Sequence, residues 1–374
     1  MDDLQALTSA TEPPLVRKLH TVGRALGTPV SGTFELTSGC NFNCRMCYIH
    51  DRAANARKKN ELTADEWLSV GKQAADSGTV FVLLTGGEPL IRPDFGKIYT
   101  GLRQLGLMIS VNTNGSLITG KTAELFENNP PMRLNVSLYG DDRDTYRRLC
   151  GADAFYAVLS NIARMRAAGV EVKLNISFTE INAARMEGLA ELTQKLGLHC
   201  QTSFYMYPPV RTSSPEAAAF RLSPSDAGKY QVEWSVRRGK TDLLKSSAGL
   251  LELMSARECE DADAPREGVR CRAGHTAYWI DSAGEMLMCG MIPVPAGNVR
   301  ESGFNACWQK TRDFMKTVVM PAKCATCSYR PVCCVCPAAC YAETGDFTKV
   351  PQYLCEMSRS IADGIRSKVK DEAE

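Results

Sequence analysis

Sixteen cysteines in a chain of 374 residues limit what this protein can be. Three of them, Cys40, Cys44 and Cys47, share one short stretch, Cys150 and Cys200 stand alone, and eleven lie from Cys259 to Cys355. The chain opens Met1-Asp2-Asp3, acidic where a secretory signal would be basic, and no apolar run approaches the roughly 18 residues of a membrane span. A cytoplasmic protein with no membrane partner is therefore expected. In a reducing compartment so many thiols point to bound metal rather than disulfides. With 44 basic and 42 acidic side chains, a net charge of +2 offers no electrostatic footprint for nucleic acid.

The length suits two or three domains, at roughly 100–200 residues each. Residues 1–30, broken by Pro13-Pro14, form an amino-terminal extension read as a leading helix. From Thr33 onward, short β-branched or apolar runs alternate with helical spacing. Strands are expected at 32–37, 80–85, 108–112, 134–138, 172–178 and 200–205, and helices at 63–77, 94–105, 119–128, 154–168 and 183–196. Thr63 and Glu66 suit a capping box. Such alternation predicts an α/β fold of parallel strands, either a doubly wound sheet or a complete or partial barrel. Both architectures put the site at the carboxyl ends of the strands, where Gly86-Gly87-Glu88, Asn112-Thr113-Asn114, Ser137 and Thr179 collect. A further helix, preceded by a loop, is expected over 215–242, and a domain boundary near 240. The Cys-, Gly- and Pro-rich remainder, 241–374, carries one hairpin signal at 277–288 and has little apparent apolar core, so bound metal is expected to stabilise it.

Cys40, Cys44 and Cys47 follow C-x3-C-x2-C spacing in the loop after the first strand. Three thiolates can hold a [4Fe-4S] cluster with one iron left open, and an open metal position is a reaction site. A zinc ion with a distant fourth ligand fits the same spacing.

Together with Thr85-Gly86-Gly87-Glu88-Pro89 after the second strand, this motif resembles the radical S-adenosylmethionine (SAM) superfamily. The resemblance implies a partial (β/α)6 TIM-like barrel for 31–240, with SAM on the open iron as the source of a 5′-deoxyadenosyl radical. The SAM contacts it implies are Gly86, Gly87, Glu88, Asn112 or Asn114, Ser137, and Arg148, with Arg147 beside it an equal chemical candidate. Met46 and Tyr48 flank Cys47 and complete the set, Met46 standing where the family usually has an aromatic residue near the adenine.

The tail resembles the SPASM domain, which carries auxiliary iron–sulfur clusters. The match is Cys271, Gly284 and Cys289, then Cys324-x2-Cys327-x5-Cys333-x2-Cys336, then Cys355. It implies three [4Fe-4S] clusters in all. Cys324, Cys327, Cys333 and Cys355 would hold one auxiliary cluster; Cys271 and Cys289 would hold the other, with Cys259 upstream and either Cys336 or Cys340 as the last ligand. Paired C-x2-C zinc sites are the competing reading of the same spacings.

Relatives of this kind mostly modify peptides. The leading expectation is a maturase that forms a thioether cross-link in a ribosomally made peptide. The first 30 residues are too short for a winged-helix leader-binding domain, so any leader recognition would fall to a separate protein or to another surface of this one. Electrons would come from a flavodoxin or ferredoxin. Oxidative decarboxylation of a small molecule such as a tetrapyrrole is the alternative, then epimerisation or formylglycine formation in sulfatases. The last is disfavoured by Cys289-Gly290, where sulfatase maturases have an Asp. A non-catalytic electron carrier would leave Gly86-Gly87-Glu88 unexplained. Tyr205 and Tyr207 could line the substrate side, and His50 and His275 could face clusters. No catalytic acid or base is identified.

Overall fold

The computed structural model describes residues 13–49, 60–209, 211, 219–255 and 268–371. Cys259 and His50 lie outside the described residues. Helix α1 (Pro14–Leu26) starts on a proline and stops where Gly27 turns left-handed. The chain then alternates through β1 (Ser31–Glu35), α2 (Ala64–Asp76), β2 (Phe81–Thr85), α3 (Phe95–Gln104), β3 (Met108–Thr113), α4 (Gly120–Asn128) and β4 (Arg133–Ser137). It continues through α5 (Arg143–Cys150), α6 (Phe155–Ala167), β5 (Val172–Ser177), α7 (Met186–Lys195) and β6 (His199–Ser203). The expected capping box is present: Thr63 Oγ1 accepts from the Glu66 backbone N–H, and the Glu66 carboxylate accepts from the Thr63 N–H at 2.8 Å.

Strands β1 to β6 pair in parallel in chain order, which is a partial TIM-like barrel. Strand periodicity sorts their side chains. Val82, Leu84, Leu134, Val136 and Leu174 are buried in the layer beneath the helices, where Phe34 stacks on Trp67 at 5.1 Å. The alternate residues, among them Asn135, Ser137, Lys173 and Asn175, line the bore. A complete barrel of this kind fills its interior with branched apolar side chains. Here amides and hydroxyls leave room for reactants.

Two features differ from the sequence expectation. Helix α5 was not anticipated, because half of Arg143–Cys150 is charged and the apolar stripe is narrow; Asp142 caps it through the Thr145 N–H, and Gly151 ends it in the left-handed region. The tail is also less irregular than its composition suggests. After α8 (Pro224–Arg237) and α9 (Thr241–Ser255) come β7 (Ala277–Ile280), β8 (Glu285–Leu287), β9 (Pro295–Asn298), α10 (Val299–Ser302), α11 (Phe304–Thr317), α12 (Ala322–Ala325), α13 (Pro337–Thr344) and α14 (Gln352–Asp371). Leu354, Met357, Ile361 and Ile365 give α14 a buried face, packed with Val232 and Trp234 of α8 in one apolar cluster.

The hairpin β7–β8 forms as expected, and β7 pairs in parallel with β1, so one sheet contains strands from both sides of residue 240. Among the described residues no helix is long and apolar enough to cross a membrane.

Candidate active site

The two motifs meet as an extension of the β1–β2 pairing. Leu36 N donates to Thr85 O at 2.8 Å, Gly87 N to Thr37 O at 2.9 Å and Glu88 N to Gly39 O at 2.9 Å, which carries the ladder up to Cys40. Glycine is required at both positions. Gly86 has φ +152° and a β-carbon there would lie 2.4 Å from Thr37 O; at Gly87 it would lie 2.3 Å from Gly39 O. On its other side the cysteine loop is pinned to the end of α5, through Asn43 N to Cys150 O at 3.1 Å and Arg45 N to Leu149 O at 3.0 Å.

A cavity of about 580 Å³ opens at the carboxyl ends of the strands. Cys40, Cys44 and Cys47 line it together with Met46, Tyr48, Gly86, Gly87, Asn112, Asn114 and Ser137. Asn135 Nδ2 donates to Asn112 Oδ1 at 2.8 Å. Asn114 Nδ2 reaches the loop itself, donating to Asn41 Oδ1 at 2.8 Å. Deeper in the bore Lys173 donates to Gln201 Oε1. Tyr205, Tyr207 and Met291 complete the wall toward the tail.

Two of the sequence candidates stand elsewhere. Arg148 is exposed on α5 and is not among the lining residues; Arg147 is exposed beside it and pairs with Asp144. Glu88 is fully buried, and its carboxylate accepts from Asn114 N at 2.6 Å, Thr113 Oγ1 at 2.9 Å and Leu90 N at 3.1 Å. It thereby ties the end of β2 to the end of β3. Burial pushes its carboxyl up to about 7, although all three donors pull the other way.

Burial holds the Cys40 thiol up at about 12, and Cys44 is raised first by its hydrogen bond with Cys150 and then by burial. Such thiols lose their protons when a metal takes them. Among the described residues no three Cys, His, Asp or Glu side chains converge on a single-ion site. Soft, desolvated thiols lining one cavity fit a cluster whose irons each take one thiolate.

In the tail, Cys324, Cys327, Cys333 and Cys355 sit in one electrostatic neighbourhood, with burial and then these neighbours raising Cys324 to about 11. Cys271, Cys289 and Cys336 form a second, where burial is again the main cause and lifts Cys289 to about 12. Cys340 is buried near Cys324, Cys336 and Cys333, between the two sets.

His275 is bound to Val269 O at 2.8 Å and Arg24 Nη2 at 2.9 Å, and Arg24 is in turn an electrostatic neighbour of Cys271. At Gly290 a β-carbon would lie 2.9 Å from the Trp279 ring, so the glycine makes room for an indole whose Nε1 donates to Glu35 Oε2 at 3.0 Å. The same carboxylate accepts from Arg211 Nη1 at 2.8 Å. Arg211 lies near the rings of Tyr48, at 5.9 Å, and Trp279, at 5.7 Å. Sequence reasoning missed this buried group; a carboxylate inside a barrel strand was the available signal.

Residues 34–192 match the model of the Radical SAM superfamily. An AdoMet-dependent heme synthase of Methanosarcina barkeri is 29% identical over 338 residues, covering 86% of this chain and 94% of that protein. A PqqA peptide cyclase of Streptomyces rochei is 26% identical over 365 residues, covering 93% and 95%. In fold, the chain is similar to native anSMEcpe with bound AdoMet, with TM-score 0.68 and 17% identity over 92% of this chain and 99% of that one. It is similar also to Streptococcus suis SuiB bound to the precursor peptide SuiA, with TM-score 0.65 and 17% identity over 92% and 82%. The Gly86-Gly87 turn laid against the three-cysteine loop, within the stretch matched by that family model, gives this enzyme a radical SAM domain over residues 34–192.

Proposed function

We propose that this enzyme oxidatively modifies a peptide, closing a cysteine sulfur onto a carbon to form a thioether. The observation that carries this reading is the chemistry of the bore. Asn135, Asn175 and Gln201 present amides into it, and Lys173 is the one basic side chain among its described lining residues. Amides match the donors and acceptors of an extended peptide. A tetrapyrrole with carboxylate side chains would want paired cations to meet them.

Cys40, Cys44 and Cys47 would hold the SAM-binding [4Fe-4S] cluster. Gly86 and Gly87 would let backbone approach SAM's methionine end, and Asn112, Asn114, Ser137, Met46 and Tyr48 would contact its remainder. The tail thiols would hold two auxiliary [4Fe-4S] clusters, one on Cys324, Cys327, Cys333 and Cys355, the other on Cys271, Cys289 and Cys336, with Cys259 upstream. When bound, these groups supply a 5′-deoxyadenosyl radical and an acceptor for the electron left on the product. The chain's own part is to orient the peptide along the amide wall and to exclude water from the reacting carbon. The net change is one C–S bond for one C–H and one S–H bond, a loss of two hydrogens.

Cytoplasmic conditions, an electron donor such as a flavodoxin or ferredoxin, and a separate leader-binding protein belong to the same reading. Formylglycine formation is disfavoured, because the ring against Gly290 leaves no room for an acid there. The second reading, oxidation of a tetrapyrrole side chain, draws on the full-length similarity to proteins named heme synthase.

Mass spectrometry of cysteine-containing precursor peptides after anaerobic incubation with the reconstituted enzyme, SAM and reductant tests the proposal. Loss of two hydrogens with matching 5′-deoxyadenosine supports it. Unchanged peptides, alongside loss of carbon dioxide from a tetrapyrrole in a parallel incubation, would replace it with the second reading.

A further inference from the structure

Tyr207 belongs to two environments at once. Its side chain lines the cavity that also holds the three-cysteine loop, and its hydroxyl lies 3.4 Å from Cys336 Sγ. It also packs against the tail cluster built on Met288, Ile292 and Met315. The ring is held from behind. Tyr205 meets it edge to face at 4.8 Å, and the Tyr205 hydroxyl donates to Glu343 Oε1 at 2.9 Å. Arg221 pairs with that carboxylate at 2.5 Å and lies over the Tyr353 ring at 4.2 Å.

We propose that Tyr207 is a positioning residue that donates an O–H···S hydrogen bond to Cys336 and so sets the reduction potential of the cluster held there, from a ring on the wall of the reaction cavity. The direction of the bond follows from the chemistry. A thiol bound to iron has given up its proton, which leaves the phenol as donor. A donor on a ligand sulfur withdraws charge and stabilises the more negative, reduced cluster, raising its potential. Because the same ring faces the cavity, its position is sensitive to what fills that space. The inference rests on the reading that Cys336 ligates an auxiliary cluster.

The test is Tyr207→Phe in the reconstituted holoenzyme, with iron counting and redox titration followed by electron paramagnetic resonance. Tyr205→Phe is the control, since its hydroxyl serves Glu343 and not a sulfur. The expected result is wild-type iron content, one auxiliary signal moved to more negative potential in Tyr207→Phe, and no such shift in Tyr205→Phe. Unchanged potentials with full iron would overturn the inference alone. An equal shift in both variants, or loss of iron from Tyr207→Phe, would overturn it by making the phenol a packing element. A wild-type protein holding only about four irons would instead overturn the auxiliary-cluster reading, and the inference with it.

Discussion

Gly87 lies so close to Gly39 that a β-carbon on it would come within 2.3 Å of the Gly39 carbonyl oxygen and 3.0 Å of the Cys40 β-carbon. The approach is backbone to backbone, with Glu88 N donating to Gly39 O at 2.9 Å just beyond it. The glycine turn and the cysteine loop are therefore one rigid unit, and changes in one are felt in the other.

Gly87→Ala must push the cysteine loop away from β2. Overpacking of this kind costs about 1–3 kcal/mol. Thermal melts should show the loss, and anaerobic reconstitution should leave the variant short of iron. Wild-type stability and full iron content would contradict the backbone account.

Glu88 gives the site a pH dependence whose sign can be worked out. Its folded-state carboxyl is raised to about 7, so the folded protein binds a proton that the unfolded chain releases at lower pH. The resulting stabilisation is fully present below about pH 4.5 and is lost as pH rises through about 7. Glu88→Gln removes the titration, and it also replaces one accepting oxygen with an NH2 group, which sets amide hydrogens against at least one N–H donor at a cost of about 1–3 kcal/mol. Urea unfolding from about pH 5 to 8 should show the wild type's stability falling relative to the variant's. A constant difference would show that Glu88 does not titrate there.

At position 290 the prediction is steric. Gly290→Asp should displace Trp279, break its hydrogen bond to Glu35 and destabilise the fold by about 1–3 kcal/mol. Tryptophan fluorescence and a melt read both effects. A stable Gly290→Asp protein with sulfatase-maturing activity would revive the reading disfavoured above.

Glu343→Ala strands Arg221, whose side chain is only 12% exposed. Leaving a buried cation unpaired costs about 3–5 kcal/mol, and the lower end applies because Arg221 keeps its place over the Tyr353 ring. The check is chemical unfolding of Glu343→Ala beside an Arg221→Met, Glu343→Leu double variant. The double variant should recover most of the loss.

Much of the barrel was legible because strands such as Phe81–Thr85 and Met108–Thr113 are short apolar or β-branched runs, and the helix that follows each is spaced at the helical period. The glycine turn and cysteine loop were legible because their chemistry needs those residue types in adjacent loops. Helix α5 escaped because its charged residues hid the short buried set Tyr146, Leu149 and Cys150, although Asp142 and Gly151 marked both ends. In α11 the spacing of Phe304, Cys307, Trp308, Thr311 and Met315 is helical; the surrounding cysteines drew the reading toward a coreless, metal-stapled loop. The contacts Arg211–Glu35 and Tyr207–Cys336 join residues more than a hundred positions apart, and no local pattern announces them.

The most direct test of the central claim is the fate of deuterium from a precursor peptide carrying perdeuterated candidate acceptor residues. Under anaerobic turnover with SAM and reductant, the account predicts deuterium in the 5′-deoxyadenosine and a peptide product that has lost one deuterium and one hydrogen. Unlabelled 5′-deoxyadenosine and an intact peptide would contradict it.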